Sequence, residues 1–414
     1  MPEFLQIGID AFQANPWAFI AIPFISAIVG WVTNVIALKM MFIPIEFIGI
    51  KPFLGWQGIV PSKAHKMASI ACDLMLERLV NVREVFQRLD PERIAADLEK
   101  PLLQMTKDVV DNVMDSYQPG LWEGMPQVAK NRIYKNVQRE TPAIVSSLMT
   151  EMKDNIESIF DVKNMVINNL MRDKELLNRI FLETGEKEFV FIGRSGGYFG
   201  FAFGIIQAMV FLFWPNQWVL PVAGLLVGYL TNWIALKMIF LPQQPKKIGP
   251  VTVQGLFHKR QQEVSADYGA LIADEILTPG NMIEEIINGK LSDNLIDLVT
   301  RHVKSAVDEQ AGITKPFVVL AVGGGAYKGM KEAAVATFVA NIPEALRHIE
   351  DYAQDAMDVK NTIIDRMQQL TPEQFEGLIR PAFEEDEWML ITVGAALGFA
   401  AGVAQLVFMF GGSL

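Results

Sequence analysis

The chain has 414 residues, of which 51% are hydrophobic and 20% charged, and its mean hydropathy is +0.24. Soluble domains carry about 25% charged residues, so this composition argues against a wholly soluble protein. The net charge of −11 argues against a nucleic-acid-binding protein, which needs a basic face. A single cysteine, Cys72, excludes an intrachain disulfide and a thiolate metal cluster.

Runs without charge predict four membrane spans. There are 28 uncharged residues between Asp10 and Lys39, 42 between Arg194 and Lys237, and 27 after Glu387. A helix needs about 20 apolar residues to cross a bilayer, and a proline-containing turn divides the longest run into two. The predicted spans are therefore about 17–38, 195–213, 218–240 and 388–410.

Basic residues predict the orientation of these spans. The leader 1–16 and the turn 214–217 contain no Lys or Arg, whereas lysines follow the first and third spans. Because basic loops remain in the cytoplasm, the two inserts (about 46–194 and 246–387) are predicted to be cytoplasmic. The leader, the turn and both termini are then predicted to be external.

The sequence repeats itself. The segment Gly30–Met40 recurs as Gly228–Met238 at an offset of 198, and Gly200–Gln207 resembles Gly398–Gln405 at the same offset. Self-similarity at a constant offset indicates a tandem duplication. The predicted repeats are 17–213 and 218–414, each consisting of a span, an insert and a span. Since each copy has an even number of spans, both enter the membrane in the same orientation.

The inserts are predicted to be helical, so the fold class is an all-α integral membrane protein. Apolar residues recur at spacings of three and four, and no run alternates as a strand would. The uncharged run 316–327 is interpreted as a buried soluble helix and not as a fifth span, because its counterpart is charged. Five prolines are expected to separate packed helices in the first insert: Pro91, Pro101, Pro119, Pro126 and Pro142.

Small residues recur every fourth position in the spans. This spacing lets membrane helices approach closely, because lipid gives them no hydrophobic drive to associate. Helix packing is the favoured role, and a ligand slot is the alternative. The predicted packing residues are Ser26, Gly30, Gly196, Gly200, Gly204, Gly224, Gly228, Gly394, Gly398 and Gly402.

Polar side chains inside the spans form a candidate intramembrane site. An unsatisfied polar group is costly in hydrocarbon, so each must find a partner. Asn34 and Gly200 are expected at similar depths in the membrane, so Asn34 is predicted to bond the backbone near Gly200. Asn232 is predicted to do so near Gly398 for the same reason. The set either bonds helix to helix or binds an ion, a headgroup or a solute. Its members are Thr33, Asn34, Gln207, Thr231, Asn232 and Gln405.

Lysines near the ends of the first and third spans are candidate contacts for anionic lipid headgroups. Long basic side chains reach the interface from such positions, so they serve at least as anchors. The segment 43–61, which carries aromatic residues between prolines, is expected to lie at the same interface. The candidate lysines are Lys39, Lys51, Lys237, Lys246 and Lys247.

Three of these motifs together resemble a known family. They are the Gly-Trp/Tyr-Xaa-Thr-Asn-Xaa-Ile-Ala-Leu-Lys-Met signature, the Trp-Gln-Gly segment at 56–58 and the glycine-spaced terminal helix. They resemble the bacterial membrane-protein family called domain of unknown function 445 (YheB/YjiN type). The resemblance implies a plasma-membrane location and a helical insert, but no activity. The second copy departs from it at Val253, where the Trp is lost.

No enzyme signature is present, since the four histidines form no metal-binding motif and the glycine-rich segment 321–329 lacks the P-loop spacing. No catalytic residue, metal or cofactor is predicted. The leading hypothesis is a non-enzymatic membrane scaffold that self-associates, with membrane lipids and further copies of the chain as partners. The alternative is a transporter or conduit for lipid or small solute, with a polar site at the repeat interface.

Overall fold

The computed structural model describes residues 12–13, 16–50, 54–214, 216, 218–311, 319, 323–380 and 387–410. These residues are mainly α-helical and belong to two compact units. Unit 1 comprises Met1–Met75, Leu170–Leu271 and Ile364–Leu414, and unit 2 comprises Leu76–Asn169 and Ile272–Ile363. Each unit draws on both predicted repeats, so division by compactness differs from division by repeat.

The elements follow one another in a similar order along the two halves of the chain. The first half contains α1 (Pro16–Phe42), β1 (Ile48–Ile50), β2 (Leu54–Trp56), α2 (Ile59–Ser62), α3 (Ala64–Arg78), α4 (Val82–Gln87), α5 (Pro91–Asp97), α6 (Glu99–Tyr117), α7 (Pro119–Glu123), α8 (Gln127–Asp154), α9 (Ile156–Ile159), α10 (Val162–Arg172), α11 (Lys174–Thr184) and α12 (Glu186–Phe213). The second half contains α13 (Val219–Phe240), β3 (Lys246–Ile248), β4 (Val251–Val253), α14 (Leu256–Lys259), α15 (Gln261–Leu271), a π-helical turn (Ile272–Ile276), α16 (Pro279–Asn288), α17 (Ser292–Ala311), α18 (Gly324–Arg347), α19 (Glu350–Met357), α20 (Val359–Gln368), α21 (Pro372–Ile379) and α22 (Glu387–Phe410).

Four helices of unit 1 are long and apolar enough to cross a membrane: α1, α12, α13 and α22. Three of them agree with the predicted spans to within a few residues. Helix α12 begins at Glu186, nine residues before the predicted start. A charge-free run locates the part that fits in hydrocarbon, whereas the helix itself continues through charged residues outside it. Glu186 and Glu188 lie in its first turn, where the helix dipole favours negative charge.

Two β-hairpins correct the expectation that the inserts contain no strands. Strands β1 and β2 pair antiparallel after α1, and β3 and β4 do so after α13. Each strand has three residues, which is too short for alternation to appear in the sequence. Both hairpins are fastened to the end of a span, because Gly58 N donates to Pro44 O (2.8 Å) and Gly255 N to Pro242 O (2.9 Å).

Unit 2 consists of helices that range from four residues (α9) to 28 residues (α8). Pro91 and Pro119 are the first residues of α5 and α7, where a missing amide hydrogen leaves no bond unmade. Pro126 immediately precedes α8, as expected of a helix boundary. Pro101, however, lies in the first turns of α6, and Pro142 lies inside α8, so neither separates two helices.

The core of unit 2 contains five fully buried aliphatic side chains: Leu79, Ile94, Ile156, Ile276 and Ile363. Half of the run 316–327 lies outside the described residues, and its residues 324–327 form the start of α18. Residues 1–11, 14 and 15 of the predicted leader 1–16, the acidic residues 384–386 and the C-terminal residues 411–414 also lie outside the described residues.

Candidate functional site in the four-helix bundle

Helices α1 and α12 approach each other along a row of small residues. A Cβ atom added at Gly30 would lie closer than 3.0 Å to the carbonyl oxygen of Gly196. One added at Gly200 would lie equally close to the carbonyl oxygen of Ser26, and Gly204 faces the Ser26 side chain in the same way. The atoms opposite Gly30 and Gly200 are backbone and cannot rotate away, so a larger residue there would separate the helices.

Helices α13 and α22 make the corresponding contact. Added Cβ atoms at Gly224 and Gly228 would lie closer than 3.0 Å to the carbonyl oxygens of Gly398 and Gly394. One at Gly402 would lie equally close to the backbone of α13. The structure therefore brings each predicted set of small residues together within one pair of spans.

Asn34 bonds across the first pair. Its Nδ2 donates to the carbonyl oxygen of Ile192 (2.8 Å), and its acceptor is therefore not near Gly200 as expected. The antiparallel packing sets Gly30 against Gly196 and Gly200, so Asn34, one turn after Gly30, faces the turn before Gly196. The prediction compared how far Asn34 and Gly200 lie from the charged residues that flank their spans, and this comparison did not give the register of the two helices. Glycine at position 196 leaves the Ile192 carbonyl accessible, because a Cβ added there would overlap the Asn34 amide.

Asn232 makes the same contact in the second pair. Its Nδ2 donates to the carbonyl oxygen of Leu390 (3.0 Å), and not to the backbone near Gly398. A Cβ at Gly394 would overlap the Asn232 amide, so glycine again clears the way to the carbonyl. In each pair of spans, the Asn side chain of one helix thus bonds to the backbone of the other.

Further polar contacts lie within the first pair and between the two pairs. Ser26 Oγ donates to Gln207 Oε1 (3.1 Å), and Gln207 Nε2 donates to Gln405 Oε1 (3.3 Å). Thr231 Oγ1 lies 3.5 Å from Asn34 Oδ1, at the limit of a hydrogen bond. These contacts run from α1 to α12 to α22 and from α13 back to α1.

All six residues of the predicted polar site are buried. Both threonine hydroxyls donate within their own helices, Thr33 to the Gly30 carbonyl (3.2 Å) and Thr231 to the Gly228 carbonyl (3.4 Å). Gln405 Nε2 is buried without a hydrogen-bond partner among the described residues. Apart from that group, the side chains use their hydrogen bonds on one another and on the backbone. An interhelical bond of this kind stabilises a bundle by about 0.6 kcal/mol on average.

The candidate headgroup lysines are exposed where the structure describes them. Lys39 and Lys237 lie in the last turns of α1 and α13, and Lys246 and Lys247 lie on β3. Lys51 lies outside the described residues. Four exposed ammonium groups therefore lie beside the ends of two spans.

Sequence reasoning missed a buried ionic cluster next to the end of α13. Glu376 of α21 accepts from Gln243 Nε2 (2.7 Å) and from Arg380 Nη1. His258 of α14 lies beside them, with Nε2 3.4 Å from Glu376 Oε2 but without hydrogen-bond geometry. Burial acts to raise the pKa of Glu376, but the bonds from Gln243 and Arg380 and the Arg380 charge lower it overall.

The repeat offset was the signal that could have revealed this cluster. Position 376 corresponds to Asn178, and position 258 corresponds to Pro61, so charge replaces neutral residues in the second half. Asn178 Nδ2 donates to the carbonyl oxygen of Phe42 (2.7 Å) at the end of α1. Both residues therefore support the end of a span, one as a neutral donor and the other through an ionic group.

A second ion pair fastens α12 to the segment before α15. Arg260 donates two bonds from Nη1 to the buried carboxylate of Glu188 (2.6 and 2.7 Å). Glu263 accepts from Arg260 Nε (3.0 Å) and from Lys187 Nζ (2.6 Å). These two bonds lower the pKa of Glu263, with that from Lys187 as the larger cause. Burial opposes the charge of Arg260, but the two carboxylates raise its pKa overall.

An apolar groove lies between α12 and α13. Its volume is about 530 Å³, and Gln207 is a polar side chain on its wall. Trp214 and Trp218 line one end, next to the turn between the helices. Such a groove fits an acyl chain better than a polar solute.

Among the described residues, no group of three His, Cys, Asp or Glu side chains lies close enough to hold a metal ion. Cys72 is buried in α3, as expected of a core residue.

Known relatives match one part of the chain. It is 33% identical over 103 residues to a UPF0754 membrane protein of Bacillus mycoides (strain KBAB4) and 27% identical over 103 residues to one of Bacillus cereus (strain G9842). It is 30% identical over 86 residues to one of Bacillus thuringiensis (strain Al Hakam). The first two matches cover 24% of this chain and 27% of the relative, and the third covers 20% and 23%.

The relatives' names and the four apolar helices agree. This chain is a membrane protein. The resemblance to domain of unknown function 445 was wrong, because the relatives carry a different family name, UPF0754. No family model matches the chain, and no solved structure matches it.

Proposed function

We propose that this chain is a non-enzymatic protein of the bacterial plasma membrane that self-associates into a membrane-anchored helical scaffold. The observation that carries the proposal is the internal use of polar groups by the spans. Asn34 and Asn232 bond to helix backbone, and Gln207 bonds to Gln405. A bundle whose polar side chains bond to one another and to its own backbone suits a membrane anchor better than a path for solute.

The proposal includes a tandem duplication, with repeats 17–213 and 218–414. Its support is that contacts recur at the sequence offset. Asn34 and Asn232 each donate to a backbone carbonyl that lies 158 residues later in the chain. Asp173 caps α11, which precedes the span helix α12, and Thr371 caps α21, which precedes the span helix α22. Two related halves present two similar sets of surfaces, and contacts between such surfaces on different chains build rings or filaments.

The proposed orientation places both inserts in the cytoplasm and both termini outside. Its support is the positions of Lys39, Lys237, Lys246 and Lys247, all next to the same ends of α1 and α13. A reporter that is active only outside the cytoplasm, fused after Leu414, tests the orientation. We expect activity there and none for a fusion within 127–154, and the reverse pattern would overturn the orientation.

The test of the scaffold is the mass and shape of the particle extracted with its native lipid. Native mass spectrometry gives the number of subunits, and electron microscopy gives the arrangement. We expect a closed ring or a regular array of many copies. A monomer or dimer that retains lipid or a solute would overturn the scaffold and favour transport.

The alternative function, a conduit for lipid or small solute, is supported by the apolar groove between α12 and α13 and by the unbonded Gln405 Nε2 beside Gln207. Replacing Asn34 and Asn232 by Leu separates the two functions. A conduit loses flux of fluorescent lipid or solute in reconstituted vesicles while its assembly persists. Loss of assembly in the same variant counts against transport. Thr392→Leu is the matched control, because this hydroxyl lies exposed on α22 and bonds within its own helix.

A further inference from the structure

The first hairpin has an apolar face. Its register pairs Ile48 with Trp56 and Ile50 with Leu54, and directly paired residues point to the same side of a sheet. The four large side chains therefore share one face. Ile48, Ile50 and Leu54 are 67%, 73% and 75% exposed. Water is a poor surrounding for so much apolar surface on so small an element.

The opposite face of the hairpin consists of two glycines, and the ring of Phe47 packs against one of them. Gly49 pairs with Gly55 between the two apolar pairs. A Cβ at Gly55 would lie closer than 3.0 Å to the ring of Phe47, so this face has no room for side chains. Gly49 has a φ of +133°, which side-chain-bearing residues rarely adopt. The register is thereby held, and the apolar face always points away from the packed side.

The hairpin is held at the end of the first span. Pro44 O accepts from Gly58 N (2.8 Å), and Ile45 O accepts from Gln57 Nε2 (2.7 Å), so the base of the hairpin is closed. Gly58 also packs against the backbone of Phe42, the last residue of α1, where a Cβ would lie closer than 3.0 Å. The apolar face therefore lies within a few residues of the end of a span.

The length of α1 places that end at the membrane surface. Its 27 residues extend about 40 Å at 1.5 Å per residue, whereas the hydrocarbon core is about 30 Å thick. The ends of α1 accordingly reach the headgroup layer. Lys39, exposed in the last turn, lies at the level where its ammonium group meets lipid phosphates.

We propose that the exposed side chains of Ile48, Ile50 and Leu54 insert into the lipid interface beside the first span. The lipid is the occupant because these apolar side chains lie next to the end of a membrane-spanning helix. Trp56 shares their face of the hairpin, but its Nε1 is buried in the protein, so Trp56 is not one of the inserting side chains. The hairpin thus fixes the depth of the first span and couples the insert that follows it to the bilayer surface.

The second hairpin provides a matched comparison. Lys246 occupies the position of Ile48 at the repeat offset, and its register partner is Val253 in place of Trp56. Lys247 and Thr252 replace the two glycines of the packed face and are exposed. An ammonium group on the corresponding face remains among headgroups and water. Insertion is therefore expected of the first hairpin alone.

The test uses an environment-sensitive fluorophore on single cysteines. Cys72→Ala removes the native thiol, and Ile48→Cys, Ile50→Cys and the control Lys246→Cys each introduce one labelling site. The whole chain is reconstituted in liposomes of phosphatidylglycerol and phosphatidylethanolamine. Quenching is then measured with aqueous iodide and with lipids that carry a spin label at a shallow or a deep acyl carbon.

We expect the labels at positions 48 and 50 to lose iodide quenching and to be quenched most by the shallow acyl label, at a depth of about 5–10 Å below the headgroups. The label at 246 is expected to remain accessible to iodide. Equal iodide quenching at 48, 50 and 246 would overturn the proposal. Protection from both iodide and lipid quenchers at 48 and 50 would also overturn it, because a protein surface would then cover the face. Retention of the wild-type elution volume shows that each labelled variant is folded.

Discussion

The two halves of the chain agree inside the membrane and differ next to it. Inside, Asn34 and Asn232 make the same bond to a carbonyl exposed beside a glycine. Next to the membrane, Asn178 of the first half is a neutral donor, whereas Glu376 of the second half accepts from Gln243 and Arg380. Hydrocarbon offers polar groups no partner except each other, so few solutions exist there. Near water, a charged side chain is tolerated when a side chain of opposite charge lies beside it.

The largest effect is expected where the halves differ. Glu376→Ala leaves Arg380, Gln243 and His258 without their carboxylate, and loss of one partner of a buried ion pair costs about 3 kcal/mol. Asn178→Ala removes one neutral bond to Phe42 O and should cost about 1 kcal/mol. Unfolding in detergent, followed by tryptophan fluorescence, measures both free energies. Equal losses would contradict the distinction between the halves.

The pH dependence of stability sharpens the same difference. Because the pKa of Glu376 is lower in the folded protein than in the unfolded chain, the unfolded state binds its proton first as the pH falls. The contribution of Glu376 is present above the usual carboxyl pKa of about 4.3 and is lost as the pH falls through the depressed folded value. The difference in stability between wild type and Glu376→Gln should shrink over that interval. An unchanged difference there would refute the ionic role.

The similarity inside the membrane is tested by adjacent glycines on α12. A Cβ at Gly196 would overlap the Gly30 carbonyl and the Asn34 amide, whereas one at Gly197 would have its nearest neighbours at 3.7 Å. Gly196→Ala is expected to cost about 1–3 kcal/mol, as overpacking does, and Gly197→Ala close to none. Gly394→Ala should repeat the larger loss in the second half. The midpoints of thermal unfolding in detergent compare the three variants, and similar midpoints for 196 and 197 would exclude this close contact.

A smaller effect is expected where the halves meet at Gln207 and Gln405. A double-mutant cycle with Gln207→Leu and Gln405→Leu isolates the energy of their bond. The coupling should be about 0.6 kcal/mol, the average for such bonds in membrane bundles. Each single variant leaves a buried amide without this partner, so the double variant should be more stable than the sum of the two losses predicts. Strict additivity would mean that the two side chains do not interact.

The smallest effect is expected at an exposed ion pair of unit 2. Arg301 Nη2 lies 2.7 Å from Glu151 Oε1, and the side chains are 63% and 38% exposed. The bond from His302, followed by that from Arg301, lowers the pKa of Glu151. Arg301→Ala should nevertheless cost only about 0.2–1 kcal/mol, because water competes for both groups. Unfolding at low and high salt measures it, and a loss as large as that of Glu376→Ala would show that exposure does not weaken the pair.

Prediction from the sequence succeeded for the spans and failed for local details next to them. Three charge-free runs, the longest divided by a turn, became four long helices because hydrocarbon excludes charge over about 20 residues. Strands β1 to β4 were missed because three residues show no alternation. The acceptor of Asn34 was placed two turns away from Ile192, since flanking charges indicate depth only approximately. The cluster around Glu376 was missed because Gln243 lies 133 residues before Glu376, and no motif connects the two.

The sequence by itself determined which segments cross the membrane and which of their residues are too small or too polar to face lipid. Those properties depend on single residues and their spacing, so they can be read without a fold. Only the tertiary structure decided the partners: Ile192 for Asn34, Gln405 for Gln207 and Arg380 for Glu376. It also decided that Ile48, Ile50, Leu54 and Trp56 share one face. Partners depend on the register between helices and between strands, and a shift of one residue or one turn changes them all.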